Sequence, residues 1–284
     1  MNKKDNSDKE KFFAVNATNW GHKWGYRDST FVLNKDRSVS MTGSRYELCG
    51  IEMPDFIPYV EEMLDITIDP DDTLMEVENK PVRKPRINDR FSNAVKSEFP
   101  EDRYTFKDDE RLMHSQGQTT DEVYKALYLQ IDKMTDMVFY IESEEEAKRL
   151  IQLAAEHQVC LVPYGGGTSV SNALQIPEQE QRMVVAVDTR RMNAIELIDE
   201  EDRRVTVQSG ITGGRLEKLL QEKGFTVGHE PDSIEFSTLG GWISTNASGM
   251  KKNRYGNIED IVENVTMITP VSYTHLTLPT NREV

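Results

Sequence analysis

Two cysteines in 284 residues, Cys49 and Cys160, leave no scope for a disulfide framework. They stand far apart in apolar surroundings, which suits buried thiols in a reducing compartment. No apolar run approaches the roughly 18 residues of a membrane span. The opening stretch, MNKKDNSDKEK, lacks the apolar core of a secretory signal, so the N-x-[ST] triplets at Asn16, Asn246 and Asn264 are expected to stay unglycosylated. Basic residues are also in short supply. Lys and Arg number 34 against 49 Asp and Glu, a formal charge of -15. That balance excludes a general nucleic-acid binder, and any phosphorylated ligand must find a local positive site in an acidic protein. There is no Ser/His/Asp triad, no metal-spaced Cys/His group, no internal repeat and no low-complexity tract.

What is there begins to organise after residue 12. Residues 1–12 are charged and read as a disordered tail. From 13 to 133 the chain reads as a mixed N-terminal region. Two tryptophans, Trp20 and Trp24, precede short alternating runs at Thr30–Leu33 and Ser38–Met41, separated by Asn34 to Arg37; this predicts a β-hairpin with an aromatic anchor. Asp69 to about Glu122 is crowded with Pro and charge and reads as an extended surface segment, with short helices near 54–64 and 120–132. At Met137 the character changes. MVFYI (137–141) reads as a strand, and Ser143 with Glu146 forms a capping box opening a helix whose stripe is Ala147, Leu150, Ile151 and Ala154. VCLVP (159–163) is a second strand and MVVAVD (183–188) a third; a hairpin-like pair and a helix at 215–224, carrying Leu216, Leu219 and Leu220 and ended by Gly224, follow. The last stretch, SYTHLTLPTNREV (272–284), does not continue the pattern. It looks like translated adapter sequence and is set aside, with the natural chain expected to run on beyond Pro270.

Three consecutive glycines, Gly165, Gly166 and Gly167, follow the second strand, with Thr168 and Ser169 behind them. Bare amides on such a loop form an anion-binding concavity, and the hydroxyls add donors without charge. No Lys stands at the spacing of a Walker loop, and the glycines do not have the G-x-G-x-x-G spacing. A flexible turn would look the same. A second stretch, 228–260, interleaves Gly240, Gly241, Gly249 and Gly256 with Ser237, Thr238, Ser244, Thr245, Asn246 and Ser248, beside Lys251, Lys252 and Arg254. That density suits a polar cofactor better than a packed core, although a decorated surface loop would share it.

Together PYGGGTS (163–169) and PDSIEFSTLGGWISTNASG (231–249) resemble the FAD-binding PCMH-type, or vanillyl-alcohol oxidase-like, flavoprotein family. GHEPDSIEFSTLGGWIST, ASGMKKN and YGNIED are similar, within it, to the alkyldihydroxyacetonephosphate synthase (alkylglycerone-phosphate synthase) family. The resemblance implies an α+β fold, with an FAD-binding domain at 134–270 preceded by the mixed region and followed by the adapter-like 271–284. It implies that Pro163, Tyr164, Gly165, Gly166, Gly167, Thr168 and Ser169 wrap the FAD pyrophosphate. Pro231, Asp232, Ser233, Ile234, Glu235, Phe236 and Ser237, with Ser244, Thr245, Asn246 and Ala247, would contact the rest of the cofactor. Synthases often carry Arg where this chain has Asn246, the residue of related hydroxyacid-oxidising flavoenzymes.

The implied activity is an alkyl transfer without net redox: the acyl group of acyl-dihydroxyacetone phosphate is exchanged for a long-chain fatty alcohol, in peroxisomal ether-lipid synthesis. The alternatives are an FAD-dependent D-2-hydroxyacid dehydrogenase and an inactive FAD-binding fragment. FAD is expected to be non-covalent, since His157 precedes the second strand and His229 reads as loop packing. The partners are lipid substrates, with no nucleic acid; peripheral membrane association and a homodimer stay open. No catalytic residue can be named, because the family's acid/base groups are expected beyond Pro270.

Overall fold

The chain divides into two compact units, Met1–Lys80 and Pro81–Val284. The computed structural model describes residues 26, 28–69, 82–128, 131, 133–270 and 273–277. The charged start and both tryptophans of the expected aromatic anchor lie outside the described residues.

In the first unit β1 (Phe31–Leu33) and β2 (Val39–Met41) form the expected antiparallel hairpin, with Leu33 opposite Val39. Asp36 Oδ1 accepts from the Ser38 amide at 3.0 Å and its hydroxyl at 2.7 Å, while Arg37 turns the chain at φ 69°. β3 (Glu52–Met53) pairs with β2, and the helix Phe56–Leu64 falls where one is expected.

The second unit is built on a four-stranded sheet in the order β4-β5-β7-β6. These strands are β4 (Tyr104–Thr105), β5 (Met137–Tyr140), β6 (Cys160–Tyr164) and β7 (Val184–Asp188). β7 runs parallel to both β5 and β6, and β4 is antiparallel to β5. The crossover helix Glu144–Glu156 buries Ala147, Leu150, Leu153 and Ala154, so Leu153 takes the place expected for Ile151. Ser143 caps it as expected, accepting from the Glu146 amide at 3.1 Å. The Glu146 carboxylate, however, reaches one residue further back, to the Glu142 amide at 2.8 Å, and also accepts from Arg103 at 3.0 Å.

The extended surface segment expected from Asp69 to Glu122 is corrected. It contains the helices Asp89–Glu98 and Asp108–Met113 and strand β4. Phe91 and Val95, one helical turn apart among charged neighbours, are fully buried with Phe139, Leu150 and Leu153. Asn88 caps that helix by accepting from the Phe91 amide at 3.1 Å. Buried Asp136 ties the segment down, accepting from Arg83 at 2.8 Å, the Arg86 amide at 2.7 Å and the Val184 amide at 2.9 Å. Residues from Pro81 to 133, expected to belong with the N-terminal region, therefore fall in the second unit. The helix Thr120–Leu127 has a full capping box of Thr119 and Glu122.

Further along, β8 (Ile195–Asp199) and β9 (Arg204–Val207) make the expected hairpin. The helix Gly213–Gln221 buries Leu216 and Leu220 with Ile211. β10 (Asn264–Ile268) pairs antiparallel with β11 (Tyr273–Thr277), so part of the segment set aside as adapter-like is the second strand of a hairpin. Its Tyr, Thr and Leu content suits an extended chain. Both thiols are only half-buried, against expectation. Cys160 lies on β6, at the edge of its sheet, and the Cys49 Sγ sits 3.2 Å from the Thr42 carbonyl oxygen. Among the described residues no helix is long and apolar enough to cross a membrane.

Candidate functional site

The glycine loop leaves the carboxyl end of β6, beside the carboxyl end of its parallel neighbour β7, with Tyr164 opposite Asp188. Such an edge is where open parallel sheets present ligands. The three glycines answer first to the protein itself. A Cβ on Gly165 would strike Thr238 Oγ1, one on Gly166 would strike the Phe236 carbonyl oxygen, and one on Gly167 would strike the Tyr164 hydroxyl. Gly167 also takes φ +69°, which favours glycine. The loop is thus pressed against 236–238. On another side Gln118 N donates to the Ser169 carbonyl oxygen at 2.7 Å, and Gly117 has no room for a Cβ against that same oxygen. The amides of residues 165–170 donate to no acceptor among the described residues. A run of unspent N–H groups on a loop held from several sides is the kind of cradle a phosphate diester needs.

The second stretch packs alongside. Gly213 N donates to the Ser237 carbonyl at 3.0 Å and Gly214 N to the Ile234 carbonyl at 2.8 Å, and Thr212 bridges Thr238. Pro231 is buried, Ser233 turns at φ 57°, and Asp232 and Glu235 are exposed. Thr238 caps the short helix Leu239–Thr245. Several of the hydroxyls serve the protein: Ser237 accepts from Trp242 Nε1 at 2.8 Å, while Ser244 and Thr245 donate to the Gly240 and Gly241 carbonyls at 2.7 and 2.8 Å. Asn246 ends the helix in the left-handed region at φ 52°, exposed, and the Ala247 amide bonds Trp242. The structure therefore brings Gly165 and Gly166 against 236–238, while the hydroxyl density of the second stretch is largely local.

Two further groups stand out, and only the first escapes sequence reasoning. The first is a buried charged cluster at the loop's root. Arg190 grips Asp188 with Nε at 3.0–3.1 Å and Nη2 at 2.6 Å, and His114 Nε2 lies 2.9 Å from the same carboxylate. His114 Nδ1 faces the Glu110 carbonyl oxygen at 2.7 Å, and its ring lies 4.2 Å from that of Tyr164. Burial opposes the Asp188 charge, yet Arg190 and His114 outweigh it and hold the carboxyl below the usual carboxylate range. Burial pushes the Tyr164 phenol up to about 12. Nothing in the spacing of His114 and Asp188, 74 residues apart, signals the pair. The second is His229, which is 3% exposed, packed edge-on to Trp242 at 5.1 Å, with no partner for either ring nitrogen among the described residues. Its burial matches the loop-packing expectation, and desolvation lowers its pKa. His157 ends the crossover helix with its ring against Phe91. Among the described residues no cluster of His, Cys, Asp and Glu could hold a metal.

Comparison with known proteins places the chain in a family. A family profile described as FAD binding domain matches residues 135–275. The chain is 41% identical over 249 residues to an alkyldihydroxyacetonephosphate synthase of Caenorhabditis elegans, covering 87% of this chain and 41% of that protein. A Dictyostelium discoideum synthase is 32% identical over 257 residues, again covering 41% of the relative. The solved structure titled alkyldihydroxyacetonephosphate synthase in P1 superposes with a TM-score of 0.84 at 30% identity, over 91% of this chain and 49% of that one. The chain belongs to the FAD-binding family that includes the alkyldihydroxyacetonephosphate synthases. The cofactor of its FAD binding domain is FAD, and the fold class is the mixed α and β one expected. The chain spans less than half the length of these curated relatives.

Proposed function

We propose that this chain is the flavin-binding part of an alkylglycerone-phosphate synthase, which exchanges the acyl group of acyl-dihydroxyacetone phosphate for a long-chain fatty alcohol. The observation that carries the proposal is the 41% identity to a synthase over 87% of the chain. The geometry fits the cofactor. Gly165 to Ser169 offer unspent amides for the pyrophosphate, and Gly165 and Gly166 bring that backbone close to 236–238. Pro231 to Ser237 and Ser244 to Ala247 are assigned to the remainder of FAD, within a domain drawn at 134–270. The loop 163–169 holds neither His nor Cys, and on this reading FAD is non-covalent.

FAD, when bound, supplies an electron sink; the chain's own groups bind and orient it and exclude water. We place the protein in ether-lipid synthesis at the peroxisome, acting on lipid substrates, with membrane association and homodimer formation as part of the same reading. The test uses the full-length protein under anaerobic conditions. Flavin absorbance is expected to bleach on adding acyl-dihydroxyacetone phosphate and to recover with fatty alcohol, and D-lactate is expected to leave it unchanged. Bleaching by D-lactate with recovery only after an electron acceptor would instead identify a hydroxyacid dehydrogenase.

A further inference from the structure

The cluster of Asp188, Arg190 and His114 lies outside both stretches assigned to FAD, yet it is built into the glycine loop. Asp188 is 1% exposed and His114 2% exposed, a costly place for charge unless the groups are paired. All three converge on Tyr164. The His114 ring lies 4.2 Å from the Tyr164 ring, and the Arg190 guanidinium lies 5.5 Å above it. Tyr164 in turn closes the space beside Gly167, the left-handed residue of the loop, and donates to the Met113 carbonyl at 3.3 Å. The Tyr164 carbonyl accepts from the Thr189 amide at 3.0 Å, so β7 and its following turn hold the loop by backbone as well. His114 comes from a segment preceding the family domain, which begins at 135.

We infer that Arg190, Asp188 and His114 are positioning residues for the cofactor loop, fixing Tyr164 and through it the orientation of the 165–170 amides toward the FAD pyrophosphate. The inference rests on the proposed cofactor site. A planar guanidinium forked onto a carboxylate and lying over a phenol fixes an orientation that an ammonium cannot reproduce. The Arg190 and Asp188 charges offset one another, which leaves the amides as the loop's contribution to the anion.

The experiment measures FAD dissociation constants and apo-protein melting temperatures for the full-length protein and for Arg190→Lys, Arg190→Gln and the charge-balanced pair Asp188→Asn with Arg190→Gln. Arg190→Lys is expected to weaken FAD about tenfold, as losing a supporting partner does for a ligand-holding group. Its apo melting temperature is expected to stay within a few degrees of wild type. The charge-balanced pair, which leaves no uncompensated charge if Arg190→Gln alone fails to fold, is expected to weaken FAD at least as much. Wild-type affinity in any folded variant of this set would overturn the inference, as would losses of affinity that only track losses of apo stability. A wild type that takes up no FAD would instead overturn the cofactor assignment.

Discussion

The carbonyl oxygen of Phe236 stands where a side chain on Gly166 would begin, and the Ser237 Cα lies 3.0 Å from that same point. Backbone cannot retreat as the tip of a flexible side chain can. Gly166→Ala is therefore expected to destabilise the apo protein by about 1–3 kcal/mol, the usual cost of overpacking. Denaturant unfolding without FAD checks it. Gly166→Asp would also lose FAD, but through this packing, so it does not report on phosphate contact. An apo stability for Gly166→Ala equal to wild type would mean that the two strands of chain can separate.

The phosphate role is better tested where the protein makes no demand. The Thr168 hydroxyl makes no hydrogen bond among the described residues and sits half-buried at the end of the glycine run. Thr168→Val is expected to leave apo stability within about 0.5 kcal/mol. FAD binding is expected to weaken by about 1–2 kcal/mol, a hydrogen bond to a charged group. Calorimetric titration of FAD into both proteins decides it, and equal affinity would remove Thr168 from the site.

Phe91 tests the corrected account of the segment before the family domain. It is fully buried with Phe139 and Leu150. Phe91→Ala is expected to cost about 3–5 kcal/mol. Were the segment only a surface strap, the loss would stay under about 1 kcal/mol.

The strands and helix from Met137 to Asp188 were legible because apolar runs of one register alternate with a capped amphipathic helix. The glycine loop was legible as a place of close approach, although the partner that first fills the space is Thr238, Phe236 and Tyr164 rather than a ligand. The helix Asp89–Glu98 was not legible. Its buried face rests on Phe91, Ser92 and Val95, too few apolar positions to stand out among Asp, Arg, Lys and Glu. His114 and Asp188 were hidden for a different reason. Their pairing is set by where helix Asp108–Met113 ends against the carboxyl edge of β7, a tertiary fact with no local pattern. Fully buried Arg111 is similar: it donates to the Thr135 and Arg83 carbonyls at 2.9 and 2.8 Å, which a charge count reads as surface.

Two buried groups each contribute to the acid side of the stability curve, alongside carboxylates such as Glu180 that their partners also hold low. Burial lowers the His229 pKa, so the unfolded chain takes up a proton near pH 6.5 that the folded chain refuses. Its contribution is fully present above about pH 6.5 and is lost as pH falls through the depressed folded value. Asp188 is held below the usual carboxylate range despite its burial, because Arg190 and His114 stabilise the charge. Its contribution is fully present above about pH 4 and is lost only at stronger acid. Unfolding free energies of the apo protein from pH 8 to 3 are expected to show two descending limbs. His229→Leu should flatten the upper limb alone. It should also be no less stable than wild type at pH 7, since it removes two buried ring nitrogens without partners among the described residues. Asp188→Asn should make the lower limb shallower, at a cost of about 3–5 kcal/mol at neutral pH for breaking a buried pair. A His229→Leu protein that loses more than about 1 kcal/mol at pH 7 would show that the ring nitrogens have partners in solution, and the upper limb would need another owner.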